Sequence, residues 1–222
     1  MDINPYAPQE SSLPETLAVF PLTGVLLLPH GNLPLNIFEP RYVEMIEDAL
    51  STHRMIGMVQ PKNPDEMGKG EIYQTGCAGK ITEFSETTDG RYLITLTGIC
   101  RFHIEQELDV TTLYRQVKTD WQMFKSDIET KKCLGIDRER LLELLGTYFE
   151  REGMSCDFDK FEGLQDGKLM TCLSMVCPFE PSEKQALLEQ VCCKERAQMF
   201  MTMIEMAIKS GKPLDKSKHQ CH

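Results

Sequence analysis

The sequence has no long hydrophobic run, no excess of basic residues and no export signal, and each absence removes a class of function. Apolar stretches such as Val25–Leu28 are far too short to cross a bilayer, so no membrane partner is expected. The opening MDINPYAPQE lacks a basic n-region and an apolar core, so it is not a signal peptide and a cytoplasmic location is expected. Lys and Arg number 24 against 34 Asp and Glu, a net charge of −10, and neither half of the chain is basic. Nucleic-acid binders gain affinity by neutralising phosphates with Lys and Arg, which disfavours nucleic acid as a partner. An anionic membrane surface is disfavoured for the same reason.

The patterns that carry common chemistries are missing too. There is no G-x-S-x-G elbow, and Ser155 in GMSCD does not match one. A phosphate-cradling loop needs G-x-x-x-x-G-K-[ST]. GLQDGKL at 163–169 is one residue short and ends in Leu, and SGKP has Pro where the helix must begin. No H-E-x-x-H and no dinucleotide-binding fingerprint occur. Nine cysteines are present, but disulfides are not expected in a chain without an export signal. Cys172-x4-Cys177 followed by Cys192-Cys193 lacks the two tight pairs of a zinc site, and His219-Gln220-Cys221-His222 reads as a polar tail. The expectation is therefore no catalytic residue, no metal and no cofactor.

What is present is an ordinary globular chain of 222 residues, 41% hydrophobic and 26% charged, suited to one large or two small domains. Residues 1–13 read as a disordered tail and 14–122 as a β-rich lobe. LAVFPL and RMIGMV are buried strands, and GKITEFSETTDGRYLITLTG is a hairpin turning at Asp89-Gly90. There Tyr92, Ile94 and Leu96 alternate with Leu93, Thr95 and Thr97. CRFHIEQEL and YRQVKTDWQMF read as further strands, and the Pro- and Gly-rich segment 61–75 as a loop. One helix interrupts this lobe at Pro40–Leu50, with Tyr42, Met45, Ile46 and Ala49 on one face.

From 123 to 211 the pattern is helical, and 212–222 is a polar tail. Asp137 is a candidate N-cap for a helix presenting Leu141, Leu144, Leu145 and Tyr148. KLMTCLSMV is a shorter helix ending at Cys177-Pro178. A long last helix is expected from Pro181 to the Gly211 and Pro213 stop. Its polar residues, Glu195, Gln198, Thr202, Glu205 and Lys209, form one narrow stripe in an otherwise Met-rich surface. Met199, Met203 and Met206 are candidate binding residues on that helix, since methionine re-packs around varied partners.

The charged turn Glu39-Pro40-Arg41 joins a proline-rich strand to the first helix, and an Arg–carboxylate pair there reads first as a structural hinge. An ordered series of motifs surrounds it. Pro21-Leu22, Pro29, Pro34-Leu35, Ile37-Phe38-Glu39-Pro40-Arg41-Tyr42 and Met45 lead, followed by Gly76-x-x-Gly79, Asp89-Gly90-Arg91-Tyr92 and Gly98-x-x-Arg101-Phe102. Asp159, Leu169–Met175 and PFEPSEKQALLE at 178–189 complete it. This series, over about residues 14–210, resembles the N-terminal substrate-binding domain of Lon proteases. Asn36, where that family often has His or a polar aromatic, and the cysteine-rich 172–193 stretch depart from the pattern.

The resemblance implies an α+β fold, a PUA-like β-barrel lobe followed by a helical bundle lobe. It does not imply peptidase activity, because the ATPase and Ser-Lys modules of Lon have no counterpart here, nor does the zinc domain of cereblon-like relatives. The implied function is a non-catalytic module binding unfolded or degron-bearing polypeptides, as an adaptor or chaperone-like factor. Two routes are open: strand addition at a barrel edge, or docking in an apolar groove between lobes. The same motif marks Phe38, Glu39, Arg41 and Tyr42 as candidate binding residues. The rival readings are an RNA-binding PUA-like protein and a small-ligand-binding domain.

Overall fold

The computed structural model describes residues 13–63, 70–128, 135–153, 161 and 163–210. The chain divides into two compact units, Met1–Lys131 and Lys132–His222. The expected tails lie, but for Leu13, outside the described residues, as do Ser155, Asp159 and the centre of loop 61–75.

The first unit is built from β1 (Thr16–Pro21), β2 (Asn32–Ile37), helix α1 (Pro40–Ser51), β3 (Met55–Val59), β4 (Thr75–Glu86), β5 (Tyr92–Glu107) and β6 (Arg115–Asp120). β1 runs parallel to β3, and the pairs β3–β4, β4–β5, β5–β6 and β6–β1 are antiparallel. Those five pairings close on themselves, so the sheet is a barrel. β5 makes closure possible by its length of 16 residues. One of its edges pairs with β4 over Tyr92–His103, while the other takes β2 over Tyr92–Thr97 and β6 over His103–Glu107. The segment expected as a separate strand, CRFHIEQEL, is therefore the second half of the hairpin strand.

β2 enters this edge through a bulge. His30 donates its N–H to the Gly98 carbonyl at 2.8 Å, and Gly98 donates back to Gly31 at 2.8 Å. His30 has φ of 65°, the left-handed position that glycine usually fills in this bulge type. Counting on from Gly31–Gly98, hydrogen-bonded and non-hydrogen-bonded pairs alternate, so Leu33, Leu35 and Ile37 bond to β5. Pro34 falls at a non-hydrogen-bonded pair, where its missing N–H costs the ladder nothing.

The interior is filled by Leu17, Val19, Met55, Val59, Ile72, Ala78, Phe102, Ile104 and Val117. Phe102 fits because β3 and β4 carry glycine beside it. A Cβ on Gly57 or on Gly76 would stand 2.7 Å from the Phe102 ring. α1 has the expected face, with Tyr42, Met45, Ile46 and Ala49 all buried.

β6 stops at Asp120, earlier than the strand expected through Phe124. The Asp120 carboxylate accepts from the Gln122 N–H at 2.8 Å and turns the chain into a 3-10 segment, Gln122–Asp127. That segment is anchored by the most buried charge of the unit. Arg101, 1% exposed, donates Nε and Nη2 to Asp127 at 2.8 and 2.7 Å and lies 4.3 Å over the Phe124 ring. Burial pushes the neighbouring Cys100 thiol up to about 12, so it stays protonated.

The second unit holds α2 (Arg138–Glu152), α3 (Asp166–Val176), α4 (Pro181–Glu189) and α5 (Cys193–Ser210). Asp137 caps α2 as expected, accepting the Arg140 N–H at 3.1 Å. Leu141, Leu145, Tyr148, Leu169, Leu173, Phe179, Leu187, Phe200 and Ile204 form its core. The helix expected to run unbroken from Pro181 is two helices. The chain leaves α4 at Gln190, and the buried Arg196 side chain occupies the break, donating to the Leu187 carbonyl at 3.1 Å and the Gln190 carbonyl at 3.4 Å. A guanidinium thus serves the C-terminal carbonyls that a continuing helix would have served. Cys193, at the start of α5, is disulfide-bonded, contrary to the expectation from the sequence. Cys77, Cys100, Cys172, Cys177 and Cys192 form no disulfide.

Two pairs of substitutions test this account. Asp127→Ala strands a buried guanidinium and should cost about 3–5 kcal/mol in urea unfolding followed at Trp121. Lys62→Ala, which breaks the exposed Lys62–Glu71 pair, should leave the midpoint unchanged. Gly98→Ala places a Cβ 2.0 Å from the Leu28 carbonyl oxygen. It should lose at least about 1–3 kcal/mol by strain. Gly146→Ala meets no atom within 4 Å and sits inside α2, so it should gain about 1 kcal/mol by helix propensity. Equal shifts for the two glycines in thermal denaturation would contradict the close approach at Gly98.

Candidate functional site

The strand-to-helix turn at Glu39 resolves into two parts. Pro40 occupies the first turn of α1, where its fixed φ suits the helix and its missing N–H is no loss. Glu39 caps through its backbone, its carbonyl accepting from Tyr42 at 2.9 Å and Val43 at 3.0 Å. Its carboxylate takes the Arg41 Nε at 2.9 Å and Nη2 at 2.8 Å. This half of the motif is a hinge. Phe38, 55% exposed, lies beneath the Arg91 guanidinium at 5.8 Å and outside the cavity that follows.

The other half is not only a hinge. Tyr42 is buried with its ring 4.1 Å from the Phe20 ring and 4.5 Å beneath the Arg41 guanidinium. Arg41 and Tyr42 line a cavity of about 350 Å³ with Val19 and Pro21 of β1, Glu107 at the end of β5, and Leu113, Tyr114 and Arg115 at the entry to β6. Barrel closure brings these three strand ends beside the first turn of α1. Arg115 is held by Glu107, Nε to Oε1 and Nη2 to Oε2 both at 2.6 Å, and donates Nη1 to the Gly70 carbonyl at 2.8 Å. α1 fixes the opposite wall: Tyr114 donates its hydroxyl to Asp48 at 2.6 Å, and the Leu113 N–H reaches Glu44 at 3.3 Å.

These surroundings act on both phenols. Burial raises the Tyr42 pKa most. The nearby Arg41 and Arg115 charges pull it down, and Glu39 pushes it up. Tyr114 is raised further, by burial first and then by the hydrogen bond to the Asp48 carboxylate. Both are neutral donors at physiological pH. Arg115, Tyr114 and Glu107 escaped the sequence reading because their role is tertiary. The available signal was the Tyr114-Arg115 pair, which mirrors Arg41-Tyr42.

In the second unit, Met199, Met203 and Met206 do share a face of α5, forming a shallow apolar depression with Glu195, Gln198 and Thr202. Met206 is 64% exposed, while Met199 and Met203 also pack on the helical core. Of the expected polar stripe, Glu205 pairs with Arg140 of α2. Among the described residues no group of three His, Cys, Asp or Glu side chains could hold a metal ion, and no helix is long and apolar enough to cross a membrane.

Comparison with known proteins gives one family. A model described as the ATP-dependent protease La (LON) substrate-binding domain matches residues 16–206. Lon protease 2 of Myxococcus xanthus is 24% identical over 201 residues, covering 88% of this chain and 24% of the relative. Lon protease of Dictyoglomus thermophilum is 23% identical over 194 residues, covering 86% and 24%. The chain thus spans about a quarter of the length of these relatives. Among solved structures, a Lon N-terminal domain protein from Xanthomonas campestris aligns with a TM-score of 0.56 at 20% identity, over 84% of this chain and 97% of that one. The N-terminal domain of Mycobacterium avium complex Lon protease aligns at 0.57 with 16% identity, over 86% and 98%. Both likenesses show the fold.

The Tyr114–Asp48 bond gives a pH test. Its folded pKa lies above the unfolded value, so its stabilisation is complete below the unfolded tyrosine pKa and is lost as pH rises from there through the folded value. Absorbance titration of phenolate should show a late step that vanishes in Tyr114→Phe. A variant with the same titration curve as wild type would place the late-ionising phenol elsewhere.

Proposed function

The chain belongs to the Lon substrate-binding domain family, and from that membership we propose that it is a non-catalytic module recognising unfolded or degron-bearing polypeptides. The observation that carries the reading is the family match over residues 16–206, which contains a binding domain and neither an ATPase nor a peptidase. An adaptor or chaperone-like role, in the cytoplasm, is the form this activity takes. The net charge of −10 and the pairing of Arg101 and Arg115 with carboxylates speak against the RNA-binding alternative.

The surface on which we place polypeptide contact is the α5 face. Met199, Met203 and Met206 offer adaptable apolar area beside the polar rim of Glu195, Gln198 and Thr202. Such a surface tolerates varied sequences, as a receptor for unfolded chains must. Small-ligand binding is the second reading, favoured by the cavity at Tyr42.

The test uses a permanently unfolded probe, labelled α-lactalbumin reduced and capped with iodoacetamide, titrated against the folded chain by anisotropy. Met206→Glu changes an exposed side chain, so the fold is retained and circular dichroism should be unchanged. Its affinity should fall about tenfold, the equivalent of about 1.4 kcal/mol. Unaltered binding in this variant would move the contact off α5. Absence of binding by the folded wild type would sink the reading itself.

A further inference from the structure

We infer that the cavity beside Tyr42 is a receptor for a carboxylate group, with the Tyr42 hydroxyl and the Arg41 guanidinium as its donors. The source of that carboxylate rests on the polypeptide reading above: a chain's C terminus or an acidic side chain.

Tyr42 is 5% exposed, yet nothing among the described residues hydrogen-bonds its hydroxyl, which keeps contact with solvent beside the cavity. The ring is buried while the hydroxyl opens to solvent, so its O–H can donate to a group that enters the cavity in place of water. Arg41 sends Nε and Nη2 to Glu39, and its Nη1 has no partner among the described residues. The remaining charged groups of the cavity are engaged with each other. Both Glu107 oxygens hold Arg115, whose Nη1 goes to the Gly70 carbonyl. Tyr114 is committed to Asp48.

What is left over is donor capacity, beside a Tyr42 hydroxyl that Arg41, Glu39 and Arg115 are all close enough to act on. Each guanidinium is balanced by its own carboxylate, so a cation entering here finds no unpaired anion. A carboxylate meets a phenol O–H and an open N–H of a planar fork, the geometry that arginine presents to it. The volume of about 350 Å³ is within the range of small-ligand sites, and Val19, Pro21 and Leu113 supply apolar walls for the group bearing the carboxylate. Tyr42 is fixed for this role by the Phe20 ring and the Arg41 guanidinium packed against its own ring, so binding requires no reordering of the ring.

The experiment uses the full chain and four probes: a short labelled apolar peptide with a free C terminus, the same peptide amidated, the amidated peptide with an internal Glu, and N-acetylalanine. The free acid should bind about tenfold tighter than the amide, the scale of one charge-assisted contact. Tyr42→Phe, which keeps the ring, and Arg41→Met should each erase that difference. Arg91→Met, at a guanidinium that lines no part of the cavity, should not. A gain from the internal Glu makes side chains the source, and a gain only from the free terminus makes it chain ends. Equal binding of acid and amide, unaffected by Tyr42→Phe, overturns the carboxylate receptor while leaving polypeptide recognition standing. Tyr42-dependent amide shifts with N-acetylalanine, without binding of any peptide, sustain the receptor and overturn the polypeptide reading. No response to any probe overturns both.

Discussion

The first unit depends on a single steric arrangement, an aromatic ring lodged between two residues without side chains. Phe102 reaches the barrel interior because Gly57 and Gly76 leave its ring room. With the ring in place, β3 and β4 lie against it and β5 extends far enough to meet β6, which closes the sheet onto β1. Without closure, the end of β5 and the start of β6 would have no reason to lie beside α1. The cavity at Tyr42 is thus a product of topology. Its polar groups come from segments tens of residues apart, and the ring of strands is what makes them neighbours.

Electrostatics follow the same frame. The protein is strongly acidic, yet the guanidiniums near the barrel are placed individually. Arg101 is sealed against Asp127 and Phe124 and holds the 3-10 segment. Arg115 is braced by a bidentate carboxylate and a carbonyl. Arg41 is held on one side alone. A local excess of donors therefore arises inside a molecule of opposite net charge, which separates the character of a pocket from the composition of the chain.

Much of the fold was legible because it is local. The buried face of α1, the Asp137 cap and the Asp89-Gly90 hairpin turn each follow from residues within a few positions of one another, and the periodicity carries them intact. Legibility failed where a single side-chain hydrogen bond decides where an element ends. Nothing in the sequence around Gln190 breaks a helix, since neither Gly nor Pro is present. Arg196 takes the carbonyls there from six and nine residues away. Asp120 ends β6 by a turn that the apolar pattern running on through Phe124 conceals. Of the site, Arg41, Tyr42 and the methionines were visible as motif and stripe. Arg115, Tyr114 and Glu107 were not, because a hydrogen-bonded partner across a closed sheet leaves no spacing to read.

The bulge at His30 and the proline that follows it have a consequence for the company the protein keeps. Beyond the ring, β2 and the outer half of β4 are strand edges, the kind of surface on which extended chains add by backbone pairing. Pro34 turns its donor-less nitrogen outward on one edge, and Glu83 and Glu86 flank the other. Both margins make the sheet a poor template for a strand added from another chain, so the barrel's exposed edges are guarded by a missing donor on one side and by charge on the other.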